Sequence, residues 1–578
     1  MNRPGKVYAG LTPPRSDDAK MPPMNHSPRF SCPHRLLALA LGLAACLPAT
    51  AQETGRLPDM GSSAAELITP AQERAYGQQM FGELRRLGWL IEDPLIDDWL
   101  DGMGQRLVSN SERPEQRHSF FMLRSREINA FATLGGYIGL NAGLVLTAER
   151  EDEVAAVLAH EISHVTQRHV VRAVERAQKD TLPILLGMLG AIVVAQSAGD
   201  DGNATQAAIA SGIALMQQRQ INHTRASEHE ADRIGIQTLA RSGYDPGAMA
   251  GFFGRLQRAT RLQGEGPPEF LRTHPVTTTR ISEAKERADK LAGGQACTLD
   301  ADGRTLCTWT PATDSDAVRT QSPLHPGFPV ALREALDSVQ NGGDDRFDWA
   351  RERLRVLSAA QPAEVLTEYR RLADGGATLS DPQRYGMALA QTSAGQADQA
   401  LATLQTLALR HPDSLWIDLA LARAWQQHGD WAAAERQYED LLAQRPRQRA
   451  ISLAYAEALA RRGDIASGLR AQAVLRPLLQ TAGHDAALQH AFARASETAG
   501  DLVRASEAYA ENALLSGRPE DALNQLQRLQ QRDDLDYVQR ARIDARIASI
   551  TPIVLEQRAR RLRPGGSEFS VGPLAALR

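Results

Sequence analysis

Gly395, Gly429 and Gly463 stand 34 residues apart, each between two stretches of helical apolar spacing. No other feature constrains the fold of the second half of the chain as strongly. Pro412 and Pro446 keep the same interval, as do Ala400 and Ala434. Gly500 and Gly517, the latter in Gly517-Arg518-Pro519-Glu520-Asp521-Ala522, extend it less regularly. A unit of this kind is a helical hairpin with a small residue at its turn and a proline at its end. One hairpin cannot bury its own apolar face, so neighbours must stack. The stack curls into a superhelix whose concave groove suits a peptide or partner protein. A generic helical bundle is the alternative.

The pattern resembles the tetratricopeptide repeat and occupies residues 346–545, with 546–578 left as a C-terminal tail. Before it, residues 310 to about 345 are rich in Pro, Ser, Asp and Gly, including Pro323, Pro326, Pro329 and Gly342-Gly343. That composition marks a domain boundary, as expected in a chain of 578 residues, too long for one core.

The first half is organised differently. Met80, Phe81, Leu84, Leu87, Leu95, Trp99, Met103 and Leu107 follow a helical period between Pro70 and Asn110. Phe120 to Leu123 reads as extended, as does Tyr137 to Leu140 after Gly135-Gly136. Glu151 to about Arg172 reads as one long helix, with Val154, Val157, Leu158, Ile162 and Val165 along it. Further helices fit within 207–239, 246–257 and 277–291. Leu182 to Ala195 is too short to span a bilayer. It suits a buried helix, a lid over a cleft or an interfacial segment, which leaves a peripheral membrane contact open.

The N-terminus carries export information. Arg29, His34 and Arg35 precede the apolar run Leu36 to Ala45, and Ala49-Thr50-Ala51 then reads as a cleavage site. Residues 1–51 are therefore expected to be a signal peptide and the protein exported. Leu43-Ala44-Ala45-Cys46 resembles a lipoprotein box, which makes anchoring at Cys46 the less favoured alternative. Cys297 and Cys307 remain in the expected mature chain, flanking the turn Asp300-Ala301-Asp302-Gly303 in the linker 296–345. They suggest a hairpin closed by a disulfide, with two free thiols as the alternative. A net charge of −4 and the lack of a long basic block argue against nucleic acid as a partner.

The chemistry centres on His160-Glu161-Ile162-Ser163-His164. Histidines four apart on a helix lie one above the other on one face, and two neutral imidazoles so placed can bind one Zn²⁺. Glu161 follows the first ligand, so its carboxylate can lie over the open coordination position and take a proton from water there. A catalytic zinc needs a third protein ligand. The metzincin arrangement would require Gly and His where Gln167 and Val170 stand, so it fails. His169 is one residue off that register and reads as a surface or outer-layer histidine. Ser227-Glu228-His229-Glu230-Ala231-Asp232 offers a glutamate instead. Glu228 and Asp232 share a helical face: Glu228 can ligate zinc while Asp232 accepts the other N–H of a ligating histidine. Glu230 points about 200° away on the helical wheel. A solvated acidic face is the alternative.

His160 through His169, followed by Glu228-His229-Glu230-Ala231-Asp232-Arg233-Ile234-Gly235, resembles the M48 zinc metallopeptidase family, in particular its exported members with C-terminal repeats. The likeness runs from Leu57-Pro58-Asp59-Met60-Gly61 through Glu127-Ile128-Asn129-Ala130-Phe131-Ala132 and Thr273-His274-Pro275 to Ala541-Arg542-Ile543-Asp544-Ala545. It covers nearly all of the expected mature chain, more strongly in the protease half. It implies an α+β zincin-like protease domain at 52–295, mostly helical with a small sheet, ahead of the all-α superhelix. His160, His164 and Glu228 would be zinc ligands, Glu161 the general base, and 129–140 the substrate-facing part of the sheet. His274, near Arg280, would either stabilise the oxyanion or occupy zinc's open position and hold the enzyme latent. Membrane-bound relatives carry spanning helices between the second histidine and the third ligand; the short apolar runs here favour a soluble enzyme. The implied function is a periplasmic zinc endopeptidase, and chaperone-like factor, acting on misassembled outer-membrane β-barrel proteins. The resemblance also implies contact with the β-barrel assembly machinery and the lipopolysaccharide translocon. A repeat-based adaptor with a latent protease site is the competing reading.

Overall fold

The computed structural model describes residues 68–197, 203–263, 268–299, 305–311, 345–375 and 378–561. The expected signal peptide, Cys46 and most of the linker lie outside the described residues. Local sequence chemistry sets the first helices. Thr69 and Gln72 form a capping box at the start of α1 (Pro70–Arg86), with Pro70 at its first position. Asp93 caps α2 (Pro94–Ser109) by accepting the Ile96 N–H at 3.3 Å.

Four strands form the sheet, in the order β1 (Leu90–Ile91), β2 (Ser119–Leu123), β4 (Tyr137–Asn141), β3 (Ala130–Ala132). β2 and β4 run parallel, whereas β1 and β3 are antiparallel edge strands. β2 and β4 match the two expected extended segments. β1 and β3 have two and three residues, too short to show an alternating pattern. Gly139 sits between the Phe121 and Phe131 rings; a Cβ there would lie 2.6 and 2.9 Å from them.

After α3 (Ala142–Thr147), α4 (Glu151–Thr166) runs through the middle of the domain. Val154 to Ala159 are each at most 2% exposed. The apolar stripe suggested one buried face, but Ala155, Ala156, Ala159 and Ser163 let neighbours close on the other sides as well. α4 also ends earlier than expected. Arg168 takes φ +53 and α5 (His169–Ser197) begins as a separate helix. α6 (Asn203–Arg241) returns along α4, with α7 (Ala248–Gln263), α8 (Glu269–Thr273) and α9 (Thr278–Leu291) after it. Among the described residues no helix is long and apolar enough to cross a membrane. An antiparallel hairpin follows, β5 (Ala292–Leu299) with β6 (Thr305–Pro311).

The repeat region runs α10 (Asp345–Leu357), α11 (Pro362–Asp374), α12 (Asp381–Ser393), α13 (Ala397–Arg410), α14 (Leu415–His428), α15 (Trp431–Gln444), α16 (Arg449–Arg462), α17 (Ile465–Leu479), α18 (Ala486–Thr498), α19 (Leu502–Leu515), α20 (Pro519–Gln530) and α21 (Tyr537–Arg561). Gly395, Gly429, Gly463, Gly500 and Gly517 all have positive φ at inter-helix turns, a conformation glycine adopts at little cost. α21 continues to Arg561, past the tail boundary drawn at 545.

The repeats share a core with the protease domain. One buried apolar cluster extends from Ile91 to Ala508. Asp93 receives a bidentate pair from Arg353 on α10, at 2.7 and 2.6 Å. On the other side, Gln78 of α1 donates to the Leu514 and Leu515 carbonyls at 3.2 and 3.1 Å. A Cβ on Gly82 would meet the Ser516 carbonyl oxygen at 2.1 Å, so only glycine permits that approach.

Candidate metal centre

The central helix supplies the first two groups. On α4, His160 Nε2 and His164 Nε2 lie 3.0 Å apart. α6 brings Glu228, with Oε2 3.3 Å from His160 Nε2 and Oε1 3.4 Å from His164 Nε2. Gly235, two turns further along α6, sets how close the helices come: a Cβ there would lie 3.2 Å from the His160 backbone nitrogen. His274, just after α8, places Nδ1 3.0 Å from Glu228 Oε1 and 3.3 Å from His160 Nε2. One donor atom from each of these four buried residues falls within 4.8 Å of the others.

This donor set fits zinc. Ligand atoms about 2.0–2.1 Å from a tetrahedral ion stand roughly 3.3 Å from one another, close to the edges just given. The electrostatics also favour a cation at this point. Burial alone would lower the His160 pKa, yet the Asp232 and Glu228 carboxylates outweigh it and push it up to about 10. Burial and the His160 charge drive His164 well below its usual value. Burial opposes ionisation of Glu228, but His274 and His160 hold its pKa well below the carboxylate range.

The surrounding contacts fix the rings. Asp232 Oδ1 lies 3.0 Å from His160 Nδ1. Arg280 clamps Asp232 through Nε at 2.6 Å and Nη2 at 2.7 Å, and its Nη1 reaches Glu228 Oε2 at 2.9 Å. Arg280 also stacks over Phe253, 4.9 Å from the ring centroid. The sequence marked Arg280 only as part of a motif; its position under both carboxylates emerges from the packing of α9 on α6. His274 stacks on Phe270 at 4.9 Å.

Glu161 is 1% exposed, and among the described residues its Oε1 has no hydrogen-bond partner; His274 Nε2 lies 3.6 Å from it. A buried carboxylate oxygen left free beside a metal-ligand cluster suits a group that must hold a proton during reaction. A cleft of about 270 Å³ opens beside the cluster, lined by Ala132, Thr133, Gly135, His164 and Val171 among others. It joins the end of edge strand β3 to the second histidine. All six residues singled out from sequence, His160, Glu161, His164, Glu228, Asp232 and His274, thus converge. His169, read from sequence as either a surface residue or one lying behind the ligands, is 4% exposed and lies against His164, which is the second of those positions.

The family model described as Peptidase family M48 matches residues 94–288, and a tetratricopeptide repeat model matches residues 391–456. The beta-barrel assembly-enhancing protease of Escherichia coli is 33% identical over 385 residues, covering 66% of this chain and 69% of that protein. A Vibrio cholerae relative provisionally given the same name is 42% identical over 261 residues, 45% of this chain and 53% of its own length. The chain therefore spans little more than half of the Vibrio protein. The mitochondrial metalloendopeptidase OMA1 of Schizosaccharomyces pombe is 26% identical over 182 residues, covering 32% and 50% of the two chains.

Proposed function

The chain belongs to peptidase family M48, and from that membership we propose that it is a zinc-dependent endopeptidase of the bacterial periplasm that cleaves misassembled outer-membrane β-barrel proteins. The carrying observation is the convergence of His160, His164 and Glu228 donor atoms beside the free carboxylate oxygen of Glu161. His160, His164 and Glu228 would hold the zinc, which when bound would supply Lewis acidity and lower the pKa of water at its open position from roughly 15.7 towards about 7. Glu161 takes the proton from the attacking water and returns it to the leaving amine. Asp232 Oδ1 stands 3.0 Å from His160 Nδ1, behind the ring, and Arg280 fixes Asp232 in turn. Among the described residues, edge strand β3 pairs on one side only, with β4. Its other edge can bind an extended peptide through backbone hydrogen bonds, which suits loosely sequence-selective cleavage. The relatives' name supports action on outer-membrane protein assembly. Contact with the β-barrel assembly machinery and the lipopolysaccharide translocon would fall to the repeats, whose shared core with the protease couples the two.

Glu161→Gln tests this reading. It should lower cleavage of casein and of an unfolded outer-membrane protein about 10²–10⁴-fold, the usual loss for a missing general base, while zinc content stays near one per chain. A purified variant that cleaves at the wild-type rate would overturn the assignment. The alternative, an adaptor whose protease site is latent, is favoured by one observation: His274 Nδ1 stands at ligand distance from the cluster. Complementation of a deletion strain by Glu161→Gln would support it.

A further inference from the structure

We propose that His169 and Glu230 form a relay that fixes the tautomer and orientation of the ligand His164, as Asp232 does for His160. Had α4 continued straight, His169, five residues on, would lie about 140° round the helix from His164. The helix stops at Thr166 instead. Arg168 takes φ +53, uncommon for a residue with a side chain, and pairs with Glu73 of α1. That break swings the His169 ring back until its Nδ1 lies 2.9 Å from His164 Nδ1. Its other nitrogen, Nε2, lies 3.1 Å from Glu230 Oε2. Arg172 donates to the same oxygen at 3.0 Å.

Hydrogen-bond polarity settles the order. A carboxylate only accepts, so His169 Nε2 carries the hydrogen that faces Glu230. In a neutral imidazole the other nitrogen is then an acceptor. His169 Nδ1 must therefore receive a hydrogen from His164 Nδ1. That leaves His164 Nε2 bare and facing His160 Nε2 and Glu228, the form a metal ligand requires. His160 reaches the same form through one direct contact with Asp232. The two carboxylates stand two residues apart on α6 and serve different ligands on α4.

The relay rests on the zinc reading, and the two can fail separately. Zinc affinity of the full chain, measured by competition with a chromophoric chelator, is the readout. His169→Ala should raise the zinc dissociation constant about 10–100-fold without changing the melting of the zinc-free protein. His169→Gln, whose amide can accept from His164 and donate to Glu230, should recover most of the affinity. Glu230→Ala should weaken binding, and adding it to His169→Ala should cost nothing further, because the groups act in series. If His169→Ala proves unstable, Glu230→Ala and His169→Gln decide. Wild-type affinity in both His169→Ala and Glu230→Ala, or fully additive losses, would overturn the relay and leave the hydrolase intact. A wild-type chain that binds no zinc would overturn both.

Discussion

His274 is the residue whose position most changes what the centre can do. A catalytic zinc site keeps one coordination position open, whereas a structural site closes all four. With Nδ1 3.0 Å from Glu228 Oε1 and 3.3 Å from His160 Nε2, His274 stands where a fourth ligand would. Its ring is held there by stacking on Phe270 and by the backbone bond from its N–H to the Phe270 carbonyl at 2.7 Å. His274→Ala should then raise basal proteolysis several-fold and weaken zinc binding modestly, read from casein cleavage and chelator competition side by side. A fall in kcat at unchanged zinc affinity would instead assign it to the oxyanion and remove the latent state. The sequence offered both roles and had no means to choose, because they differ only in where one ring points. It fared better with Glu228 and Asp232, whose spacing of four already placed them on one face. His169 was offered as a residue that could lie behind the ligands, but its meeting with Glu230 was hidden for a definite reason. Their meeting depends on a helix break at Gln167-Arg168, and no glycine or proline there announces it.

At the level of elements, helices were legible and short strands were not. Apolar spacing marked α1, α2, α4 and the repeat helices, and the 34-residue glycine period fell on turns of positive φ. β3, the strand proposed to meet substrate, has only Ala130-Phe131-Ala132 and is defined by its pairing with β4. Burial on all sides of α4 was also unreadable, since alanines that pack a core look like alanines on a surface. The β5–β6 hairpin was foreseen from the turn between its cysteines, and its register places Cys297 directly opposite Cys307. Directly opposed residues of an antiparallel pair have Cα atoms about 4.5–5.5 Å apart, inside the span a disulfide bridges. In exported protein the pair should be oxidised. Trypsin cutting after Arg304 should then leave two cysteine peptides joined until reductant is added. Two separately alkylated peptides without reduction would reject the bridge.

At the scale of the whole molecule, the repeats do not hang from a linker. They close on the protease, and part of the contact is a group of carboxylates around one guanidinium. Arg449 of α16 lies 3.7 Å from Asp97, 3.4 Å from Asp98 and 2.7 Å from Asp485. Burial between the layers, only partly offset by Arg449 and reinforced by neighbouring carboxylates including Asp93 and Asp101, pushes Asp97 up to about 8 and Asp98 to about 6. Asp93 goes the other way: burial opposes its charge, but Arg353 keeps its pKa lowered. A carboxyl whose folded pKa is raised stabilises the fold fully below its unfolded value of about 4. It loses that contribution as pH climbs through the folded pKa. The Asp97 contribution should therefore fade between pH 4 and about 8, and that of Asp98 between pH 4 and about 6. Asp93 adds a trend of opposite sign, but only in acid, below the ordinary carboxylate pKa. Asp97 and Asp98 keep 33% and 30% of their side-chain surface in contact with solvent, so screening makes the effect smaller than full burial would. With zinc saturating throughout, the melting temperature of the full chain should fall from pH 6 to pH 8. Asp97→Asn, which stays neutral, should fall less over the same interval. Parallel curves for the two proteins would mean that Asp97 does not titrate at this contact and that the repeats' grip on the protease is indifferent to pH.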